Sequence, residues 1–132
     1  MDYLEEPIVY LQKSDFDEAG NLVNPKIPKN KPVVIMLMAN FCGYCTKAKP
    51  AYQEFALKHL GKKFNNFSGD FVVAAIQADG DQKGEKELNS ILKKIDPSFQ
   101  GFPSYVVYKN GKMVKNDIKG RDVKSLEDFV GV

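Results

Sequence analysis

The chain alternates between short apolar runs and stretches in which apolar residues recur at helical spacing. Residues 33–39 are apolar throughout, which suits a central strand covered on both faces, as in a parallel or mixed sheet. Residues 71–78 read the same way and end at the turn Asp79-Gly80-Asp81. Between the two runs Ala48, Tyr52, Phe55 and His59 share one helical stripe, with Gly61 as its stop. Pro50 falls inside that stripe, where it removes a backbone donor and predicts a kink. Leu88, Ile91, Leu92 and Ile95 follow the i, i+3, i+4, i+7 rule and predict an amphipathic helix over residues 85–95, stopped by Asp96-Pro97.

The remaining elements are shorter. Residues 8–11 predict a strand. Residues 13–32 contain turn chemistry at 17–21 and the prolines Pro25, Pro28 and Pro32. No long helix fits there, so a short helix or turn followed by an irregular surface loop is expected. Ser104–Lys109 and residues 112–116 flank Asn110-Gly111, a strong local signal for a hairpin. Asp122 can cap a last helix that buries Val123, Leu126, Phe129 and Val130.

Composition changes this picture little. The 132 residues are 43% hydrophobic and 27% charged, ordinary for one globular domain large enough to bury a core. A formal charge of +2 argues for neither nucleic acid nor an acidic surface as partner. No apolar stretch approaches the roughly 18–20 residues that span a bilayer. The acidic N-terminus does not read as an export signal, so the match of Asn66-Phe67-Ser68 to a glycosylation triplet is expected to be chance. A monomer in a reducing, cytoplasmic compartment is the expectation. Two faint calcium loops, beginning at Asp15 and Asp79, fail at the twelfth position, where Lys26 and Ser90 stand in place of a bidentate Glu.

The two cysteines are where the chemistry concentrates. Cys42 and Cys45 are the only ones in the chain, at a spacing that puts both sulfurs on one face of a helix's first turn. A bridge between them would close almost no loop and constrain the unfolded chain little. Such a pair reads as chemistry rather than as a staple. At the helix start Cys42 faces unsatisfied N–H groups and the positive end of the dipole, both of which favour a thiolate. Cys42 is therefore the expected nucleophile, and Cys45 the thiol that resolves a mixed disulfide. Zinc would need four ligands, and the only histidine, His59, lies far down the same helix, so neither a metal nor another cofactor is expected.

The order of elements, with Cys42-Gly43-Tyr44-Cys45 opening a helix after a buried strand, resembles the thioredoxin family. Further matches are Ala39-Asn40-Phe41 before the motif, Pro50 in the helix, Phe102-Pro103-Ser104 before the hairpin, Lys109-Asn110-Gly111-Lys112, and Gly120. The resemblance runs over about residues 8–130. It implies an α/β thioredoxin fold, a central mixed β-sheet flanked by helices on both faces, as a single domain with its core over residues 7–131. It implies a dithiol–disulfide oxidoreductase acting on protein or peptide disulfides and recycled by a thiol reductase or glutathione. It also implies a cis Phe102–Pro103 bond that offers the backbone of Phe102 to an extended substrate. Phe41, Tyr44 and Phe102 would supply apolar surface there, and Gly120 would let the backbone pass close to the site.

Departures from the family pattern bear on rate and direction. Phe41 replaces the usual Trp, Met36 stands where a buried acid is common, and residues 71–78 hold no lysine to pair with it. The first family helix looks shortened or replaced by the proline-rich loop. Gly43-Tyr44 lacks the proline of typical reducing thioredoxins and resembles the pair in bacterial disulfide isomerases; Tyr44 is shared with glutaredoxins. A thioredoxin-like reductant is expected, with an isomerase or oxidase as the alternative. From a different class, a non-catalytic adaptor or redox-sensing module is the other alternative.

Overall fold

A computed structural model of the protein describes residues 4–39, 42–61, 67, 69–79 and 86–132. Its sheet is built on the two apolar runs. β2 (Val33–Met38) and β3 (Val72–Gln77) are buried at every position and pair in parallel, Val33 opposite Val72 through Met38 opposite Gln77. β1 (Val9–Tyr10) adds in parallel outside β3. On the other side β4 (Ser104–Lys109) runs antiparallel to β2, and β5 (Lys112–Lys115) antiparallel to β4. The order is β1-β3-β2-β4-β5, a mixed sheet with β2 at its centre. Asn110 and Gly111 both take positive φ, 54° and 80°, the geometry a two-residue hairpin turn of this kind requires.

One face of the sheet is covered by helices. α1 (Gly43–Leu60) runs unbroken through Pro50, buries Cys45, Ala48, Tyr52, Phe55, Ala56 and Leu60, and ends at Gly61. α3 (Val123–Val130) buries Leu126 and Phe129. Its first turn is capped by Asp122, whose carboxylate accepts from Ser125 N–H at 3.0 Å. These helices meet Val34, Met36, Met38, Val73, Ala75, Tyr105 and Val107 from the sheet. In each strand those residues alternate with the ones on the opposite face, as the pleat demands.

The opposite face corrects two expectations. Residues 13–32 are irregular, with one 3₁₀ turn at Lys13–Asp15, yet they are not merely surface. Phe16, Leu22 and Ile27 are buried and pack with Ile35, Leu37, Ile76 and Tyr108. The segment can do this because its polar groups are satisfied locally. Asp15 accepts from Gln12 N–H and from the Asn24 amide, and Asp17 from Ala19 and Asn21 N–H. It is also tied to the hairpin, Leu22 N–H donating to Gly111 O and Asn110 N–H to Lys29 O, both at 2.8 Å.

The helix expected over residues 85–95 is instead a 3₁₀ stretch, Lys86–Ile91, followed by one α turn, α2 (Leu92–Ile95); Glu85 lies outside the described residues. Leu88, Ile91, Leu92 and Ile95 are buried as the pattern requires. Asn89 donates to Ala78 O and Ser90 to Glu87 O, side-chain bonds that compete with a regular α ladder.

Candidate dithiol site

α1 begins at the C-terminal side of β2, and Cys42 is its N-cap. The Cys42 sulfur accepts from Cys45 N–H at 3.3 Å and donates its own proton to Phe102 O at 3.2 Å. One sulfur thus does the work normally given to a capping oxygen and ties the helix start to the segment before β4. Both cysteines are free thiols, Cys42 half-buried and Cys45 fully buried. Burial pushes the Cys45 thiol up to about 12. A backbone hydrogen bond from Ala39 and the charge of Lys49 oppose this, and the neighbouring Cys42 reinforces it. The pair is therefore asymmetric, with one sulfur toward solvent and the other held protonated beneath it.

Around the sulfurs, Tyr44 is 62% exposed, and the Arg121 guanidinium lies 5.4 Å from its ring centre, within cation–π range. Phe102 packs edge-on against Phe99 at 5.0 Å. The Phe102–Pro103 peptide bond is cis, as is Glu6–Pro7. Pro103, Tyr105, Gly120 and Arg121 share one groove of about 390 Å³. Gly120 itself crowds the start of α3: a Cβ there would sit 2.7 Å from Ser125 Oγ. Phe41 lies outside the described residues.

Met36 is wholly buried in the cluster that holds Cys45. Its register partners are Ala75 on β3 and Tyr105 on β4, so the row Ala75-Met36-Tyr105 crosses the sheet with neither an acid nor a lysine in it. His59 sits far from the cysteines, near the C-terminal end of α1, between the rings of Phe55 and Phe71 and 2.6 Å from Glu127 Oε2. Among the described residues no three His, Cys, Asp or Glu side chains converge as metal ligands would.

Two residues here escaped sequence reasoning. Tyr105 lies two positions after Pro103 on a strand, so the two-residue period could have placed it on the face under the cysteines. Arg121 carried no comparable signal, since its approach to Tyr44 joins segments remote in the chain.

A helix start that follows a buried central strand, carries one half-buried and one fully buried thiol, and is hydrogen-bonded to the segment before β4 is a thioredoxin-class arrangement. The Thioredoxin family model matches residues 7–131, and the chain belongs to the thioredoxin family. Members of this family are generally thiol–disulfide oxidoreductases. The chain is 48% identical over 132 residues to thioredoxin-like protein 453L of Invertebrate iridescent virus 6, covering 97% of this chain and 95% of that one. It is 27% identical over 127 residues to the protein disulfide-isomerase of Datisca glomerata, covering 96% of this chain but 21% of the relative. Among solved structures, Chlamydomonas reinhardtii thioredoxin f2 superposes with a TM-score of 0.62 at 17% identity over 94% of both chains, a likeness of fold.

Proposed function

We propose that the protein exchanges disulfides with protein or peptide substrates, Cys42 attacking and Cys45 resolving, as a thioredoxin-like reductant. The observation that carries this reading is the asymmetry of the two sulfurs. Cys42 is accessible at the helix start, while Cys45 is buried with its proton held. The Cys42 thiolate attacks one substrate sulfur and expels the other as a thiolate. Cys45 then attacks Cys42, leaving the substrate as a dithiol and the protein as the Cys42–Cys45 disulfide. A thiol reductase or glutathione in a reducing, cytoplasmic compartment returns the dithiol. Tyr44 and Phe102 border the sulfurs with aromatic surface suited to a flexible peptide, Phe41 remains the third aromatic that the sequence offers for it, and Pro103 and Gly120 line the groove along which it extends.

Cys42→Ser is expected to abolish exchange, whereas Cys45→Ser still attacks and accumulates covalent mixed disulfides. Alkylation of the reduced protein at mildly acidic pH should label Cys42 first; faster labelling of Cys45 reverses the roles. Sustained turnover of a disulfide substrate separates an enzyme from an adaptor that only switches binding. The Gly43-Tyr44 pair, without proline, supports a second reading as isomerase or oxidase. A reduction potential near about −270 mV supports the reductant, and one between about −180 and −120 mV the alternative.

A further inference from the structure

The row beneath the cysteines contains one hydroxyl. Ala75, Met36 and Tyr105 lie side by side across β3, β2 and β4 and belong to the same buried cluster as Cys45. Tyr105 is 3% exposed, and its hydroxyl is buried with no hydrogen-bond partner among the described residues. The other two deeply buried tyrosines are different. Tyr52 donates between Ala74 O at 2.6 Å and Val34 O at 3.1 Å. Tyr108 donates between Gly20 O at 2.6 Å and Ile95 O at 3.3 Å.

A buried hydroxyl left unpaired lowers stability, and phenylalanine would fill the same space without that cost. The acceptor that Tyr105 lacks in the dithiol form is then a group that becomes an acceptor during the reaction. Cys45 is such a group. Tyr105 shares its core cluster, feels its charge, and reaches the groove that it lines together with Arg121.

Resting on the exchange reaction proposed above, we infer that Tyr105 donates a hydrogen bond to the Cys45 thiolate while the mixed disulfide is resolved, directly or through one bridging water. In that step Cys45 loses its proton to solvent, and its sulfur electron pair forms the bond to Cys42. The bond between Cys42 and the substrate sulfur breaks, and the leaving sulfur takes that pair, departs as a thiolate and picks up a proton from solvent. A donor aimed at the charged form makes the thiolate easier to reach. Met36 and Ala75 have no proton to offer.

Burial holds the Tyr105 phenol above its ordinary range, with Arg121 pulling it down and Cys45 pushing it up, so it remains a donor while Cys45 titrates. The other titratable or charged groups acting on the pair are Cys42, Lys49 and Tyr52 from α1 and Arg121 from the segment before α3. β2 and β3 carry no ionisable side chain.

The test is the single-turnover release of thionitrobenzoate from a preformed mixed disulfide at Cys42, followed from neutral to alkaline pH in the wild type and in Tyr105→Phe. The expected result is a release about tenfold slower near neutrality in the variant, with its alkaline rise displaced upward by about one pH unit. Thermal melting should show the variant folded and at least as stable as the wild type. Met36→Asp added to Tyr105→Phe should restore release near neutrality by supplying a proton acceptor to Cys45. Superimposable pH profiles, or a variant slowed equally at every pH with no displacement, overturn the inference. A wild type that reacts at Cys42 but never releases the probe overturns the exchange reading itself, and this inference with it.

Discussion

The two faces of the sheet solve the same burial problem by different means. The face toward α1 and α3 is covered by two regular helices and carries the dithiol, Tyr105 and the aromatic cluster of Tyr52, Phe55 and Phe71. The face toward residues 11–31 and 86–95 is covered by an irregular segment, a 3₁₀ stretch and a single α turn. No cysteine or metal-ligand cluster is found there among the described residues. A helix presents a rigid start whose free N–H groups act on Cys42, and the proposed chemistry needs such a start. The other face needs only to exclude water, and a loop whose polar groups are satisfied locally does so.

Cutting the loop-covered core should change stability without changing the reduction potential. Leu88, fully buried there, is the largest test: Leu88→Ala should cost about 2–5 kcal/mol, measured by denaturant unfolding, while the reduction potential stays put. A shifted potential would show that the faces are coupled through the sheet.

Gly20→Ala should cost about 1–3 kcal/mol. Gly20 holds φ at 86°, and a Cβ would stand 2.4 Å from Lys94 O, so the loop would lift from α2. Limited proteolysis within residues 13–32 should accelerate; an unchanged rate means the loop is held elsewhere.

Tyr108→Phe should cost about 1–2 kcal/mol by freeing the Gly20 and Ile95 carbonyls. Tyr105→Phe on the reactive face should cost nothing, and equal losses in the two variants would erase the contrast between the faces.

A further contrast, absent at neutral pH, concerns the thiol itself. Burial raises the Cys45 thiol from 9.0 to about 12, so between those values the folded reduced protein keeps a proton that the unfolded chain has lost. Its stability is therefore fully present below about 9 and declines as pH rises toward about 12. The oxidised protein has no such thiol. Melting temperatures of the two forms should diverge across that window, the reduced form falling faster, and a constant gap would mean that Cys45 is not held as a buried thiol.

Much of this was readable along the chain because it depends on local pattern. Seven consecutive apolar residues at 33–39 specify a strand buried on both sides wherever it sits. Asn110-Gly111 specifies its turn through the positive φ both residues tolerate. Asp122 caps α3 through a carboxylate that reaches a donor in the next turn. The placing of two cysteines on one helical turn is equally local, so the dithiol stretch is legible in the sequence alone.

Tertiary contact decided the rest. Phe16, Leu22 and Ile27 are spaced by no period, and only the sheet they cover reveals them as core. Leu88, Ile91, Leu92 and Ile95 have helical spacing, yet Lys86–Ile91 is a 3₁₀ stretch in which the Asn89 side chain reaches across to Ala78 O. The contrast between a half-buried Cys42 and a fully buried Cys45 follows from what packs over α1. That the Tyr105 hydroxyl finds no partner among the described residues depends on its cross-strand neighbour Met36, far away in the chain. Periodicity reports which side of its own element a residue occupies; which partners wait on that side depends on strand order and register.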